Sequence, residues 1–197
     1  TLGFITRLMT AVMINANAGP EDIWVIDNVT NNVNALSRID SRLVREIRSI
    51  EGVENTYGIL VAGATLSLQD GKTTSVTLVG SEGPEFIAGP KYSLITKGKL
   101  SDLNQSYTLS GEFFSTKSLG TELVPGKTLE INKKNAIIKI QTRNAQGYGG
   151  NIMYTSLNNA RFFSNLPPDK VSIVLVRPRP GHPSEDIIQR INTSFFG

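Results

Sequence analysis

The chain has 197 residues, which suits one domain or two small lobes. It has no cysteine, which excludes thiolate nucleophiles, disulfides and cysteine-based zinc sites. Its net charge is only +3 and its 20 Lys and Arg are scattered, so a nucleic-acid surface, which concentrates basic residues among aromatics, is not indicated.

No segment reaches the ~18 uninterrupted apolar residues that a membrane-spanning helix needs. Residues 2–14 are nevertheless apolar on most sides, with Thr6, Arg7 and Thr10 as interruptions. Two readings stay open for them. One is a helix emerging from a membrane span, with the chain, which starts at Thr1, being part of something longer. The other is the tail of a signal peptide, because Ala16-Asn-Ala18 has the small-x-small form of a cleavage site. Residues 22–27 are short, apolar and β-branched and read as a buried strand, and the Asn-rich residues 28–34 as a loop.

Ser37 and Asp40 have the spacing of a capping box, and Leu36, Ile39, Leu43, Ile47 and Ile50 recur as one apolar stripe. A helix over this stretch, ended at Gly52, is expected. Next, the period falls to two. A strand near 56–69 should pair with one near 73–80 across Asp70-Gly71, the strongest short hairpin signal. From 82 to 148 the chain is rich in Gly, Lys and Ser. A short strand at 107–110, a short helix at 112–119 stopped by Gly120, and a hairpin of 127–131 with 136–141 around 132–135 are predicted, with 147–150 as a return loop. The tail reads as a strand at 152–155, a helix at 157–163 closed by Leu166-Pro-Pro168, a buried strand at 171–176, and a final helix capped by Ser184 with Glu185 and Asp186 in its first turn.

The fold class that follows is α+β, with a mixed sheet-and-helix lobe formed by both chain ends and a smaller, inserted β-rich lobe. The expected boundaries are a membrane-proximal stalk helix over 1–19, the first lobe over 20–81 and 149–197, and the insert over 82–148.

Chemistry is sparse. The one histidine, His182, lies in a Gly/Pro turn and reads as a turn residue rather than a base or ligand. The carboxylate pairs Glu21/Asp22 and Glu185/Asp186 sit at element starts, where acids serve capping. The glycine-bearing stretches 89–92 and 147–150 lack the order and context of a phosphate loop, so ATP binding is not expected. Arg38, Arg42 and Arg45, with Arg48 near the edge, line one helix face and read as a solvated surface rather than a lipid-headgroup site. The adjacent aromatics Phe113/Phe114, Phe162/Phe163 and Phe195/Phe196 point about 100° apart on a helix, so one of each pair should be core. No catalytic, cofactor-binding, metal or partner-binding residue is assigned, and no cofactor is expected. The chain reads as not an enzyme.

Several motifs in chain order nonetheless resemble the MacB-like periplasmic core domain of ABC transporter permeases of the MacB, FtsX, LolC/LolE and DevC types. Ile50-Glu-Gly-Val53 is similar to that family's turn from first helix into long strand. Residues 98–110 resemble its entry into the inserted lobe, and residues 112–120 with Pro125-Gly-Lys-Thr-Leu-Glu-Ile131 its short helix and following strand. Residues 151–160 resemble the return strand and helix, where the likeness suggests the DevC-like branch, and residues 176–181 its closing strand and turn. The likeness departs from the family pattern in residues 137–141, where the usual valine- and glycine-bearing strand is less clear.

This resemblance implies a segment outside the inner membrane, in the periplasm, between the first two spans of a permease. It implies a separate cytoplasmic ATPase as partner, coupling through stalk helices, a membrane-fusion adaptor docked on the domain, a parent homodimer, and no nucleic acid. The alternative is a free-standing secreted periplasmic binding or scaffold domain.

Overall fold

The computed structural model describes residues 2–27, 36, 39–146 and 150–196. Its spine is the hairpin of β3 (Val53–Ser67) and β4 (Thr73–Ser81), which closes at Ser67↔Thr73. The expected Asp70-Gly71 turn makes that closure: Gly71 takes φ 84°, and Asp70 Oδ1 accepts the Lys72 N–H at 3.0 Å. Ile59 of β3 has Ser81 on one side and Ile173 on the other, and Leu66 has Thr74 on one side and Ile131 on the other. The strand therefore belongs to two neighbourhoods in turn.

At one end of β3, antiparallel β11 (Ile173–Pro178) lies beside it, and β1 (Ile23–Ile26) lies beside β11. At the other end, β7 (Thr128–Ile131) continues into β8 (Lys134–Thr142). Strand β8 also holds β5 (Ile95–Lys97) and, in parallel, β6 (Thr108–Glu112). Parallel β9 (Ile152–Ser156) joins the outer edge of β4 and completes one nine-stranded mixed sheet. The fold is α+β. Both chain ends build its sheet-and-helix part, the middle builds its β-rich part, and β3 and β4 run through both.

Helices cover both faces of β3, which is why that strand is buried on both faces instead of alternating. On one face lies α1 (Leu2–Asn15), whose Leu8, Met9, Ala11 and Val12 join Tyr57, Ile59, Val61, Ile173 and Leu175. On the other face lie α2 (Arg42–Arg48), α4 (Leu157–Ser164) and α5 (Ser184–Ile191). Ile47, Val174, Val176, Ile187 and Ile191 pack together there, and Leu60 packs against Leu157 and Ala160. A further cluster of Leu66, Leu78, Leu109, Leu129, Ile131 and Ile138 fills the β-rich part.

Several expectations are corrected. The helix expected from Ser37 starts at Arg42 instead, because Ile39 and Asp40 form β2 (Ile39–Asp40), paired with β10 (Lys170–Val171). Ser37 lies outside the described residues, as do the expected loop at 28–34 and residues 147–149 of the return loop. Strand β1 is an edge strand, half-exposed rather than buried. The strand expected over 171–176 is broken at Ser172, whose hydroxyl accepts from Val61 N at 2.8 Å and donates to Val61 O at 3.1 Å. Helix α4 ends before Leu166, at Asn165, which takes a left-handed φ of 55°. The cap of α5 is Pro183, and Ser184 Oγ instead donates to Glu21 O at 3.0 Å. The expected helix at 112–119 is a 3₁₀ turn over Phe113–Ser115 followed by α3 (Thr116–Leu119), ended at Gly120 with φ 69°.

Candidate functional site

The residues singled out for chemistry do not converge. His182 is exposed in its turn, beside Gly52. Asp22 is spent on structure: its carboxylate accepts from Arg177 Nε at 3.1 Å, from its terminal nitrogen at 3.0 Å and from Gly19 N at 2.7 Å. That pairing holds the Arg177 guanidinium more firmly protonated than usual. Glu185 and Asp186 face solvent in the first turn of α5. Among the described residues, no group of three His, Cys, Asp or Glu could hold a metal. Arg42 pairs with Asp40, and Arg48 turns back to donate to Thr56 Oγ1 and O at 3.1 and 2.9 Å, while Arg38 lies outside the described residues. Of the aromatic pairs, Phe163 is fully buried beside exposed Phe162, as the helical spacing requires, whereas Phe113 and Phe195 are only half-buried.

What the fold does bring together is a latch at the C-terminal end of α1. An apolar helix that ends in Asn15-Ala-Asn17 leaves carbonyl groups to be satisfied and offers two amide side chains to satisfy others. Asn15 O accepts the Lys91 N–H at 2.8 Å, and Asn17 N donates to Gly89 O at 3.1 Å. Asn17 Nδ2 donates to Phe86 O and Pro90 O at 3.3 and 3.0 Å. The stretch 89–92 therefore works as a clasp on α1. Asn15 Nδ2 donates to Ala145 O at 3.1 Å, and that same carbonyl takes the Tyr154 hydroxyl at 2.7 Å. Tyr154 is fully buried, and burial pushes its phenol above the ordinary range, so it acts as a donor throughout the working pH range.

Beyond Ala145 lies Glu112, 2% exposed at the end of β6. Its carboxylate accepts from Thr142 Oγ1 at 2.9 Å, Asn144 N at 3.0 Å, Ala145 N at 3.2 Å and Phe114 N at 3.3 Å. One hydrogen-bonded chain thus runs from α1 through Ala145 to β6, β8 and β9. Sequence reading singled out none of Asn15, Asn17, Glu112 or Tyr154. The available signal was two amides flanking the end of an apolar helix.

Two surface concavities flank this frame. A groove of about 830 Å³ lies between β1, α2 and α5, with Ile26, Ile188 and Phe196 exposed along it. A cleft of about 700 Å³ lies where Asp22, Glu54, Arg177, Arg179 and His182 meet.

No family model matches the chain, and no curated protein matches it by sequence. Its fold has relatives. The periplasmic region of MacB from Actinobacillus actinomycetemcomitans superposes with a TM-score of 0.65 at 13% identity, over 90% of this chain and 83% of that one. The fold is that of a MacB-like periplasmic domain. The extracellular domain of the noncanonic ABC-type transporter YknZ from Gram-positive bacteria has the same MacB-like fold, with a TM-score of 0.58 at 15% identity over 87% of both chains. A domain of a protein described as a permease, from Porphyromonas gingivalis, follows at 0.54 and 20%, over 80% of this chain and 71% of that one. At these identities the likeness is one of fold. The YknZ domain is part of an ABC-type transporter. Among the described residues no helix is long and apolar enough to cross a membrane.

Proposed function

We propose that the chain is the extracytoplasmic, periplasmic domain of an inner-membrane ABC exporter permease. On this reading it couples ATP hydrolysis by a separate cytoplasmic ATPase to export and docks a periplasmic adaptor. It performs no catalysis itself. Residues 1–19 are the stalk, 20–81 with 149–197 the porter-like lobe and 82–148 the inserted lobe, in a parent that pairs as a homodimer.

The observation that carries this reading is the seating of the two terminal helices. Helix α1 is latched to the β-rich part through Asn15 and Asn17, and its apolar face enters the cluster that reaches Leu100, Leu103 and Ile140. Among the described residues, helix α5 packs in the cluster that α2 and β11 share, and Arg190 ties it to Glu51 O at 2.7 Å. A displacement of α1 relative to α5 therefore acts across the sheet, as a coupling device needs.

Reporter fusions along the parent gene test it. One span before Thr1, three after Gly197 and this segment outside are expected. A signal peptide before it and a stop codon directly after it would make it a secreted binding or scaffold module instead. Calorimetry on the 197-residue chain is expected to show no nucleotide binding.

A further inference from the structure

We propose that Arg143, with Phe113 and Phe114, forms a docking site for a protein segment that presents a carboxylate beside an apolar side chain. Glu112 creates the site from behind. By accepting from Phe114 N on one side and from Asn144 N and Ala145 N on the other, it binds the turn after β6 to the turn after β8. Asn144 takes the left-handed φ of 64° that the second turn requires. Arg143 N–H donates to Leu94 O at 2.9 Å, which fixes the third side.

Held this way, the Arg143 guanidinium lies 4.1 Å from the Phe113 ring centroid and 5.5 Å from that of Phe114. The two rings meet edge to face, with centroids 5.4 Å apart. Stacking uses the face of a guanidinium and leaves its in-plane N–H donors pointing outward. Among the described residues no carboxylate lies within salt-bridge distance of Arg143, and buried Glu112 is spent on three main-chain N–H donors and the Thr142 hydroxyl. Phe114 is 48% exposed, and Tyr92, two residues before Leu94, is 65% exposed.

The surface is thus a cation whose rotamer is already fixed, framed by aromatic rings that water covers poorly. Arg and aromatic residues dominate binding hot spots, and fixing them beforehand lowers the ordering cost of association. The charge it lacks is a carboxylate, which the guanidinium fork takes in bidentate fashion. The patch sits beside the latch at the end of α1 remote from Leu2, roughly 20 Å along the helix. If α1 rises from a bilayer, the patch stands clear of the headgroups, which selects a protein segment over a lipid surface. Only this choice of partner class rests on the proposed transporter role.

The test is an NMR titration of the ¹⁵N-labelled 197-residue chain with a blocked heptapeptide of alternating Glu and Phe. A Lys/Phe peptide and phosphatidylglycerol/phosphatidylcholine vesicles serve as the other arms. Saturable amide shifts at residues 94, 114 and 143–145 are expected with the Glu peptide alone. Arg143→Gln, at an exposed side chain, should weaken them about tenfold or more while the rest of the spectrum stays in place. Arg143→Lys, which keeps the charge and loses the fork, should recover only part of the affinity. Shifts elsewhere, or shifts that survive Arg143→Gln, overturn the site. Vesicle binding that depends on Arg143, without peptide binding, overturns the protein partner.

Discussion

Asp40 sits where β2 turns into α2 and makes three hydrogen bonds to one residue. Its Oδ1 accepts from Arg42 N at 2.8 Å and Arg42 Nε at 3.1 Å, and its Oδ2 accepts from an Arg42 terminal nitrogen at 2.9 Å. The side-chain bond to Arg42, then the main-chain bond, draw the Asp40 pKa from 3.8 down to about 2. A carboxylate lowered on folding contributes fully above its unfolded value of 3.8 and loses that contribution as the pH falls through about 2. A ¹³C titration of the Asp40 carboxyl should therefore show a midpoint near 2, and Arg42→Gln should return it toward 3.8. An unchanged midpoint in the variant would mean that Arg42 is not the cause. The residue also shows why sequence reading misplaced the start of the helix. Its spacing from Ser37 fits a capping box, while its carboxylate accepts the Arg42 N–H at the first residue of α2.

At the scale of elements, α4 is seated closely on β4. A Cβ built on Gly80 would meet Ala160 Cβ at 2.4 Å and Ser156 O at 3.1 Å. Only a glycine strand lets the helix approach this closely. Gly80→Ala should cost about 1–3 kcal/mol in urea unfolding, and adding Ala160→Gly should recover part of that loss. Independent, additive losses would show that the two residues do not share the contact. Helix α4 itself was legible: Ser156 accepts the Asn159 N–H at 3.1 Å, a local cap that opens a short apolar run. Both hairpins were also legible from their turns. The second is tighter than expected, since Asn132 and Lys133 alone turn the chain, with φ 50° and 65°. The elements that misled were those decided at long range. Ile39 fits a helical stripe, yet it pairs with Val171 from the far end of the chain. Glu112 carries no periodic signal, since three of its four donors come from residues 142–145.

For the whole molecule, the latch on α1 matters more than the apolar face alone. Asn15 and Asn17 supply three side-chain hydrogen bonds to segments far along the chain. At about 0.5–1.5 kcal/mol net for each, the double variant Asn15→Ala, Asn17→Ala should free the end of α1 by roughly 2–4 kcal/mol. Hydrogen exchange should then speed up by about tenfold or more at the Asn17 and Lys91 amides, which donate to Gly89 O and Asn15 O, while β7 and β8 keep their protection. Uniform acceleration would mean that the amides stabilise the whole fold and not the latch. The α+β class was legible because strand-period and helix-period stretches alternate along the sequence. The sharing of one sheet was not, because it depends on a single strand, β3, changing partners along its length.

That shared sheet also sets an order of events during synthesis. Strand β11 lies between β1 and β3, both of which leave the ribosome long before it. The β7–β8 hairpin closes on a two-residue turn and can dock on β3 as soon as it is made. Until residue 178 emerges, β1 and the first half of β3 stand apart, with an unfilled lane between them. Two apolar strand edges in a growing chain are templates for mispairing with neighbouring nascent chains. Strand β11 is thus the keystone of a part begun by β1, and the interval before its arrival leaves both neighbouring edges open to mispairing.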